Sequence, residues 1–488
     1  MATTSTGSSP SECSPMILSP PRPRESSAPS RSTAPNNSSP SEKSNMTSNG
    51  AIGWPRKEVY HWQEFTENLE RYCPGGYHPT HLGDIFHGRY RVIHKLGWGS
   101  YSVVWLARDL EVQRNVALKI IIAEQSETST EATTLRALHA GDENHPGFPF
   151  ICHLLDEFCF DGPNGRHRCL VLRATGCSVA DSQDESNKFP IHVARSISVQ
   201  ALLGLSYIHS CGVVHGDLHR GNLLFQRPEL EHWTEEEVFE NLGEPETEPV
   251  ERLDKKPHGK EAPDYSVTLA IVGMRSKELA ESTRITISDF GQSFFAADNH
   301  DSLQTPRRYA PPEHFFKDHL GPAVDVWTVG LSIYTILSAH SLFEAFYPNP
   351  DVIIAEMVDT LGHPPDRWWN SWEKKHEFFA ADGSLVKGSP RPLAVRLKRA
   401  GDTIGNNEQK SLEQLLRGRR SEQGGYVSGG MLEYEPSRRM TANDAIMSDW
   451  VTRWAMPAFE RAVTSQRDKV PRSAQNSDPL VASKSTVE

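Results

Sequence analysis

The chain has 488 residues and a net charge of −12, from 51 basic and 63 acidic side chains. An acidic balance of this size argues against general binding to nucleic acid and fits basic protein partners. The seven cysteines are scattered without a paired metal-ligand spacing, which suits a reducing compartment. The longest apolar run, near residues 116–123, is too short to span a bilayer. We therefore expect a cytoplasmic or nuclear protein with no direct contact to nucleic acid or membrane.

Both ends of the chain are polar. Residues 1–55 are dominated by Ser, Thr, Pro and Asn and lack the apolar stretch of a signal peptide. Such a segment cannot bury enough apolar surface to offset the entropy of ordering, so a disordered tail is predicted. Its Ser-Pro steps are either acceptor sites for proline-directed kinases or filler, and they begin at Ser9, Ser14, Ser19 and Ser39. Residues 457–488 are predicted to form a second polar tail, which leaves residues 56–456 for the folded domain.

The first predicted element that carries chemistry is a hairpin rich in glycine. The run Leu96–Val104 contains Gly97 and Gly99, and the absence of a Cβ at these positions lets the backbone approach phosphate groups closely. Ser102 stands where a third glycine is common. The alternative is an ordinary hairpin with two glycines in its turn.

A lysine and a helical glutamate form the next predicted pair. Lys119 ends an apolar strand about twenty residues after the glycines, where it can reach the α- and β-phosphates of a nucleotide. A helix is predicted from Ser126 to Leu138, and within it Thr128 and Glu131 match the capping-box pattern. Glu131 is therefore either the capping residue or the ion-pair partner of Lys119, and Glu127 is the alternative partner one turn earlier. We favour the ion pair between Lys119 and Glu131.

The most informative feature is an ordered pair of short motifs. Residues 215–222 read His-Gly-Asp-Leu-His-Arg-Gly-Asn, and an Asp-Phe-Gly triplet begins at Asp289, 67 residues after Asn222 (289 − 222). One chemical task needs both motifs. Asp217 accepts the proton of an acceptor hydroxyl, while Asn222 and Asp289 hold Mg²⁺ on a nucleoside triphosphate. Small-molecule phosphotransferases also carry the first motif, so the downstream sequence has to decide between the two classes.

Three downstream elements match the protein-kinase pattern. A Tyr-Ala-Pro-Pro-Glu run ends at Glu313, Asp325 begins an apolar helix, and Arg439 lies much later in the chain. In that pattern Arg439 forms a buried ion pair with Glu313, and Asp325 holds the backbone of the catalytic loop. Small-molecule phosphotransferases lack this set. The ordered series extends over more than 300 residues. It predicts an α+β, two-lobed protein kinase fold, with a small mainly β lobe at residues 86–172 and a larger mainly α lobe at residues 173–456.

This resemblance implies that ATP lies between the two lobes, together with Mg²⁺. The adenine would lie near the connection Leu172–Thr175, with Leu172 guarding the back of the pocket. The residues predicted to bind the nucleotide are Leu96, Gly97, Gly99, Ser102, Val104, Ala117, Lys119, Glu131, Leu172 and Ala174. The predicted metal ligands are Asn222 and Asp289, and the predicted catalytic residues are Lys119, Asp217 and His219.

A run ahead of the glycine-rich hairpin narrows the resemblance. Tyr-Cys-Pro-Gly-Gly-Tyr-His-Pro at residues 72–79 and Lys-Leu-Gly-Trp-Gly at residues 95–99 resemble the SR-protein kinases, and the likeness covers about residues 60–225 and 285–455. It implies a serine/threonine kinase that transfers the γ-phosphate of ATP to Arg/Ser-rich proteins such as splicing factors. We therefore expect protein substrates as partners and a monomeric enzyme.

Three positions depart from the family pattern. His219 replaces the lysine two residues after the catalytic aspartate; a neutral imidazole would stabilise developing charge less, although a protonated one could supply it. Gly216 replaces the arginine of His-Arg-Asp, so either activity does not wait on an activation-loop phosphate or the glycine is a tolerated turn residue. Ala310 replaces an arginine beside the substrate site, where Arg307 and Arg308 would favour an acidic or phosphorylated residue. His219 and Gly216, together with Ser102 in the glycine-rich hairpin, support a second hypothesis, a weak or inactive kinase fold that serves as a binding module.

Charged residues after the activation segment, which runs from Asp289 to Glu313, bear on substrate docking. The acidic residues Asp351, Glu356 and Asp359 either grip the arginines of a substrate or form a solvated helix face. Four basic residues further along the chain would repel an arginine-rich peptide, and they are Arg391, Arg396, Lys398 and Arg399.

An acidic insertion occupies residues 226–284. Between residues 226 and 256 it carries eleven acidic and four basic side chains. Thr234 and Glu237 predict a short capped helix, whereas its prolines favour loop. The SR-protein kinases carry a longer spacer here for anchoring and localisation. The insertion is therefore either a short form of that spacer or a surface excursion without function.

Overall fold

A computed structural model describes residues 58–183, 188–270, 284–345, 349–399, 404–420 and 426–469. These residues all belong to one compact unit, which begins at Trp54. The predicted tail at residues 1–55, with its Ser-Pro steps, lies outside the described residues, as do residues 271–283 of the insertion and residues 470–488.

Six strands form the sheet of the small lobe. They are β1 (Ile85–Phe86), β2 (Tyr90–Gly99), β3 (Ser102–Asp109), β4 (Arg114–Ile121), β5 (Leu154–Gly162) and β6 (Gly165–Arg173). Their order is β1-β2-β3-β4-β6-β5, and all neighbours are antiparallel. Val116 and Ile120 are branched at Cβ and favour extended backbone, and their burial fixes β4 inside the sheet. Lys119 therefore lies in an interior strand, opposite Val104 of β3 and Leu170 of β6.

Two short helices follow β4, namely α1 (Ala123–Ser126) and α2 (Glu131–His139). Helix α2 confirms most of the helix predicted from Ser126 to Leu138, but the predicted start at Ser126 and the capping box are wrong. The hydroxyl of Thr128 bonds a carbonyl oxygen of the preceding turn and does not cap α2. Glu131 turns inward instead, because a buried ammonium group needs a buried anion more than an exposed helix end needs a cap.

The large lobe is mainly helical. The elements after the small lobe are α3 (Ile191–Ser210), β7 (Val213–Val214), β8 (Leu223–Phe225), α4 (Glu235–Leu242), β9 (Thr247–Pro249), β10 (Tyr265–Val267), β11 (Ile285–Ile287), β12 (Phe294–Phe295), α5 (Pro312–Phe315), α6 (Ala323–Ser338), α7 (Pro350–Leu361), α8 (Asp366–Ser371), α9 (Lys375–Phe378), α10 (Leu393–Arg396), α11 (Asn406–Arg417), β13 (Gly418–Arg420), β14 (Tyr426–Gly429), α12 (Ala442–Ile446) and α13 (Met456–Lys469). The pairs β7–β12 and β8–β11 are antiparallel, and they bring the loop at residues 215–222 next to the turn at residues 288–293. The two-lobed α+β architecture predicted from the sequence is confirmed.

Helix α3 is the long apolar helix of the large lobe. It is long and apolar enough to cross a membrane by length and composition, yet 83% of its most apolar window is buried inside the protein. A helix that is covered on all sides by other elements is apolar all round. Helix α3 is therefore a core helix of the large lobe.

The insertion packs onto the small lobe. Thr234 and Glu237 form the predicted capping box at the start of α4, and β9 pairs with β10. The side-chain amide of Asn115 in β4 donates to two carbonyl oxygens of the insertion, each at 2.9 Å. The apolar residues of the insertion that are buried in one cluster with Ile93 and Leu106 of the small lobe are Leu230, Val238, Leu242 and Ala270. This part of the insertion is folded onto the domain and is not a free excursion.

The segment ahead of β1 contacts both the insertion and the sheet. Two backbone hydrogen bonds join residues 59–61 to residues 251–253, at 2.8 and 2.9 Å. Glu67 and Lys95 form an ion pair at 2.6 Å whose side chains are 1% and 0% exposed. Residues 59–67, which precede the small lobe predicted at residues 86–172, are therefore also part of that lobe.

Residues 457–469 were predicted to belong to a polar tail, and they are helical instead. Helix α13 continues to Lys469. Ala458 is buried, and the ring of Phe459 lies 6.0 Å from that of Phe150. A few apolar side chains on one helix face are enough to hold this segment against the large lobe.

Candidate active site

The hairpin between β2 and β3 leaves open space beside its backbone. Gly97 lies opposite Val104, and Gly99 lies opposite Ser102. A Cβ added to either glycine would have no heavy atom within 4 Å. The hydroxyl of Tyr77, from the run at residues 72–79, donates to the carbonyl oxygen of Gly99 at 2.7 Å. The hairpin therefore has room for phosphate groups, and the segment ahead of β1 holds one side of it.

Lys119 is held by two carboxylates. Its Nζ lies 2.7 Å from both carboxylate oxygens of Glu131 and 2.7 Å from Oδ1 of Asp289. Burial alone would lower the pKa of Lys119, but the charges of Asp289 and Glu131 raise it above its ordinary value. Burial raises the pKa of Glu131, which Lys119 offsets only in part. The predicted pairing of Lys119 with Glu131 is present, and Glu127 is exposed outside it.

Asp289 has an unusual backbone that aims its side chain. It adopts the left-handed conformation, with φ of 60° and ψ of 67°, just after β11. Phe290 is buried next to it, with its ring 4.7 Å from that of His215, while the Asp289 side chain is 51% exposed. The positive charge of Lys119 holds the pKa of Asp289 below its usual value. The carboxylate is therefore ionised and faces the cleft.

Asp325, at the start of α6, holds the catalytic loop as predicted. Its two carboxylate oxygens accept backbone hydrogen bonds from His215 at 2.8 Å and from Gly216 at 2.9 Å. Gly216 has a φ of +76°, and a Cβ there would lie 2.6 Å from the carbonyl oxygen of Gln292. Of the two interpretations of Gly216, the turn residue is the one that the structure supports, and at this position the turn requires glycine.

Asp217 and Asn222 face each other across this loop. The side-chain amide of Asn222 donates to the backbone oxygen of Asp217 at 2.8 Å and approaches its Oδ2 at 3.4 Å. Burial, and next the charge of Asp289, raise the pKa of Asp217 to about 8. The amide oxygen of Asn222 and the carboxylate of Asp289 are the oxygen ligands that Mg²⁺ prefers, so this pair fits a magnesium ion.

His219 is neutral in this environment. Its side chain is 18% exposed, and its Nδ1 accepts from the backbone N–H of Gly221 at 3.0 Å. Burial, helped by the neighbouring His215, lowers the pKa of His219 to about 4. Of the two alternatives predicted for this residue, the structure supports the neutral imidazole.

The connection between the lobes, where the sequence predicts the adenine, is apolar at two positions. Leu172 is partly buried and pairs across the sheet with Ala117. Ala174 is 4% exposed and packs in the same apolar cluster as Ile93 and Leu106, with Leu96 at its edge. Ala174 therefore belongs to an apolar region that continues into the insertion, whereas Leu172 packs against the buried residues Ile121, Ala132 and Leu170.

A second predicted ion pair lies in the core of the large lobe. The guanidinium of Arg439 lies 2.7 and 2.9 Å from the two carboxylate oxygens of Glu313, and both side chains are 0% exposed. Arg439 also donates to the carbonyl oxygen of Ala323 at 2.8 Å. The pairing predicted from the Pro-Pro-Glu run and Arg439 is confirmed.

Comparison with known proteins decides the family. The model of the protein kinase domain matches residues 90–232 and 276–451. The chain belongs to the protein kinase family. A serine/threonine protein kinase of Aspergillus fumigatus is 28% identical over 79% of this chain and 90% of its own length. The serine/threonine-protein kinase SRPK of Physarum polycephalum is 26% identical over 78% of this chain and 90% of its own. Human SRSF protein kinase 3 is 39% identical over 33% of this chain and 30% of its own.

These relatives confirm two predictions from the sequence. The resemblance to the SR-protein kinases, which depended on the run at residues 72–79, is confirmed. The enzyme class, a serine/threonine protein kinase, is confirmed as well.

The acidic residues predicted to grip substrate arginines are occupied within the kinase itself. Asp351 accepts from Lys374 at 3.1 Å and from the indole of Trp372 at 2.9 Å. The other two belong to an arginine–carboxylate cluster, which consists of Arg391, Arg396 and Arg399 with Glu344, Glu356 and Asp359. Within it Glu356 lies 2.7 Å from Arg391 and 3.0 Å from Arg396. The sequence left open a grip on substrate arginines or a solvated helix face, and in the described residues these acids instead pair with side chains of the kinase itself.

Sequence reasoning missed several contacts around the site. The hydroxyl of Thr305 donates to the carbonyl oxygen of Gly216 at 2.7 Å, which ties the activation segment to the catalytic loop. The ring of Tyr309 lies 5.4 Å from that of His219. Arg308, predicted to meet an acidic substrate residue, donates to the carbonyl oxygen of Ala345. A single hydroxyl or guanidinium group does not belong to a repeating sequence pattern, so the sequence does not predict these contacts.

Proposed function

We propose that this kinase transfers the γ-phosphate of ATP, with Mg²⁺, to hydroxyl groups of Arg/Ser-rich proteins such as splicing factors. The observation that carries the proposal is the assembled group in the cleft, in which Lys119 bridges Glu131 and Asp289 beside Asp217 and Asn222. The substrate class is supported by the names of two relatives, an SRSF protein kinase and an SRPK.

Each side chain of the group has a distinct proposed role. Lys119, kept cationic by its two carboxylates, binds phosphate oxygens, and Glu131 keeps it in place. Asn222 and Asp289 hold the metal. When bound, ATP would supply the phosphoryl group and Mg²⁺ a positive charge, and that charge would favour the ionised form of Asp217, whose pKa burial otherwise raises to about 8. Asp217 would then take the proton that the acceptor hydroxyl releases as its oxygen bonds to the γ-phosphorus, while the bond from that phosphorus to the bridging oxygen breaks and ADP leaves with the electron pair.

The nucleotide pocket and the setting of the enzyme complete the proposal. The backbone of Gly97 and Gly99 would cover the phosphates, with Ser102, Val104 and Ala117 on the neighbouring strands. Leu96, Leu172 and Ala174 would contact the adenine. We further propose that the kinase acts as a monomer in the cytoplasm or nucleus and does not bind nucleic acid directly, in keeping with its net charge of −12.

Transfer of radiolabelled phosphate tests the proposal. The purified chain is incubated with ATP, Mg²⁺ and either an Arg/Ser repeat peptide or a peptide with serine among acidic residues, and Asp217→Asn serves as the blank. Labelling of the Arg/Ser peptide alone supports the proposal. Labelling of the acidic peptide alone keeps the kinase and overturns the substrate class. If neither peptide is labelled although ATP binds, the chain is a binding module.

A further inference from the structure

His219 folds back over its own loop. Its Nδ1 accepts from the N–H of Gly221 at 3.0 Å, and its ring lies 5.4 Å from that of Tyr309 with the planes at 32°. Only 18% of the side chain is exposed. A hydrogen bond on one nitrogen and a ring contact therefore hold the imidazole in one orientation.

The contact with Gly221 also decides which nitrogen of His219 carries the proton. A nitrogen that accepts a hydrogen bond has no proton, so in the neutral ring the proton is on Nε2. Nε2 lies 3.6 Å from Oδ1 of Asp217, and among the described residues that buried oxygen has no hydrogen-bond partner. A shift of a few tenths of an ångström would make an N–H···O hydrogen bond of ordinary length. A buried acceptor without a partner and a donor of fixed tautomer are thus next to each other.

Gly221 is needed for this arrangement. A Cβ at position 221 would lie 2.7 Å from Cε1 and 2.9 Å from Nδ1 of His219. Carbon atoms do not approach ring atoms so closely, so any side chain at position 221 would push the imidazole away from Asp217. Positions 219 and 221 therefore act together, and a change at one alters the other.

We propose that His219 is a positioning residue for Asp217, and that Gly221 makes this role possible. The Nε2–H of His219 holds Oδ1 of Asp217 while the amide of Asn222 lies near Oδ2, so the carboxylate presents one orientation to the acceptor hydroxyl. A neutral donor orients the carboxylate without adding a positive charge beside it. This inference rests on the proposed role of Asp217 as the proton acceptor.

Four variants test the coupling by steady-state kinetics. We expect Gly221→Ala and His219→Phe each to lower kcat about tenfold while the KM for ATP changes less than about twofold, because the acceptor geometry changes and nucleotide binding does not. The double variant should lose no more than either single variant, because both changes remove the same contact. His219→Gln, whose amide keeps a donor, should retain more activity than His219→Phe. Gly405→Ala is the matched control, since a Cβ there would meet no heavy atom within 4 Å.

Nitrogen-15 NMR of the imidazole gives a readout that does not depend on catalysis. The signals of His219 are assigned by their loss in His219→Gln, and we expect the Nε2–H tautomer in the wild type and its loss in Gly221→Ala. An Nδ1–H tautomer in the wild type overturns the inference, as does a kcat of Gly221→Ala equal to that of Gly405→Ala. If wild-type chain labels no peptide, the proposed function fails, and the NMR result still decides whether the imidazole is positioned as described.

Discussion

Removal of two arginines from the arginine–carboxylate cluster should strengthen binding of an arginine-rich peptide. Arg391 and Arg399 are 39% and 46% exposed, whereas Arg396 is 5% exposed and also donates to the carbonyl oxygens of Arg391 and Leu342. In the wild type, three arginines cancel three carboxylates. In the double variant Arg391→Ala, Arg399→Ala only Arg396 remains, so the cluster carries a net charge of −2 (1 − 3).

The expected gain is modest because the cluster is partly solvated. Each contact between a substrate guanidinium and a released carboxylate contributes about 0.5 kcal/mol at an exposed site. Two such contacts contribute about 1 kcal/mol, which lowers the KM of an Arg/Ser peptide about fivefold. Added salt should remove most of this gain, because screening at physiological ionic strength acts over about 8 Å.

Peptide kinetics at low and high salt measure this effect. Lys398→Ala is the matched control, because Lys398 is an exposed cation in the same segment that pairs with no acidic residue in the described part of the chain. The reasoning is refuted if the KM of the double variant falls no further than that of the control. An equal fall of KM for a peptide with acidic residues around its serine would also refute it, since released carboxylates should repel that peptide.

Three further predictions concern the cleft and the stability of the domain. Glu131→Gln should lower kcat/KM for ATP at least about tenfold, because Lys119 keeps only one anion; kinetics at varied ATP measure this, and a change below about twofold contradicts it. Arg439→Met should lower the free energy of unfolding by about 3 to 5 kcal/mol, because Glu313 stays buried without its partner. Urea unfolding beside the exposed Arg438→Met checks it, and equal losses would contradict it. Burial lowers the pKa of His78 to about 3 and that of His153 to about 4. Since both lie below the value of about 6.5 in the unfolded chain, stability falls as the pH drops below about 6.5, by about 1 kcal/mol for each residue at about pH 5.5. The urea midpoint of the wild type should therefore be lower at about pH 5.5 than at about pH 7.5. The variants His78→Phe and His153→Phe should each make this difference smaller, and an unchanged difference would contradict the lowered pKa of the replaced histidine.

Residues with a fixed chemical task could be predicted from the sequence. Lys119, Asp217, Asn222 and Asp289 occur in an order that phosphoryl transfer requires, so their proximity in the cleft followed from the pattern. The start of α2 could not be predicted in the same way. A capping box is a local pattern. In the structure Glu131 forms an ion pair with Lys119 on β4 instead of capping the helix.

Pairings between charges that have no fixed place in the kinase pattern were beyond sequence reasoning. The acidic residues between positions 351 and 399 predict attraction of an arginine-rich substrate, and the basic residues there predict its repulsion. The sequence does not show that these residues pair with each other within the chain. The insertion offered one unused signal. Val238 and Leu242 are four residues apart, which is the spacing of an apolar face on a helix, and both are buried.

The position of the insertion bears on the two alternatives left by its sequence. Its buried leucines and Val238 share one apolar cluster with Ile93 and Leu106 of the sheet and with Ala174 of the connection between the lobes. The backbone N–H of Ala270 donates to the carbonyl oxygen of Lys95 at 2.9 Å, next to the glycine-rich hairpin. A segment that is packed against the connection and bonded beside the hairpin loses these contacts if it detaches, so detachment would change the surroundings of the nucleotide pocket. The described part of the insertion is thus packed against the framework of the cleft.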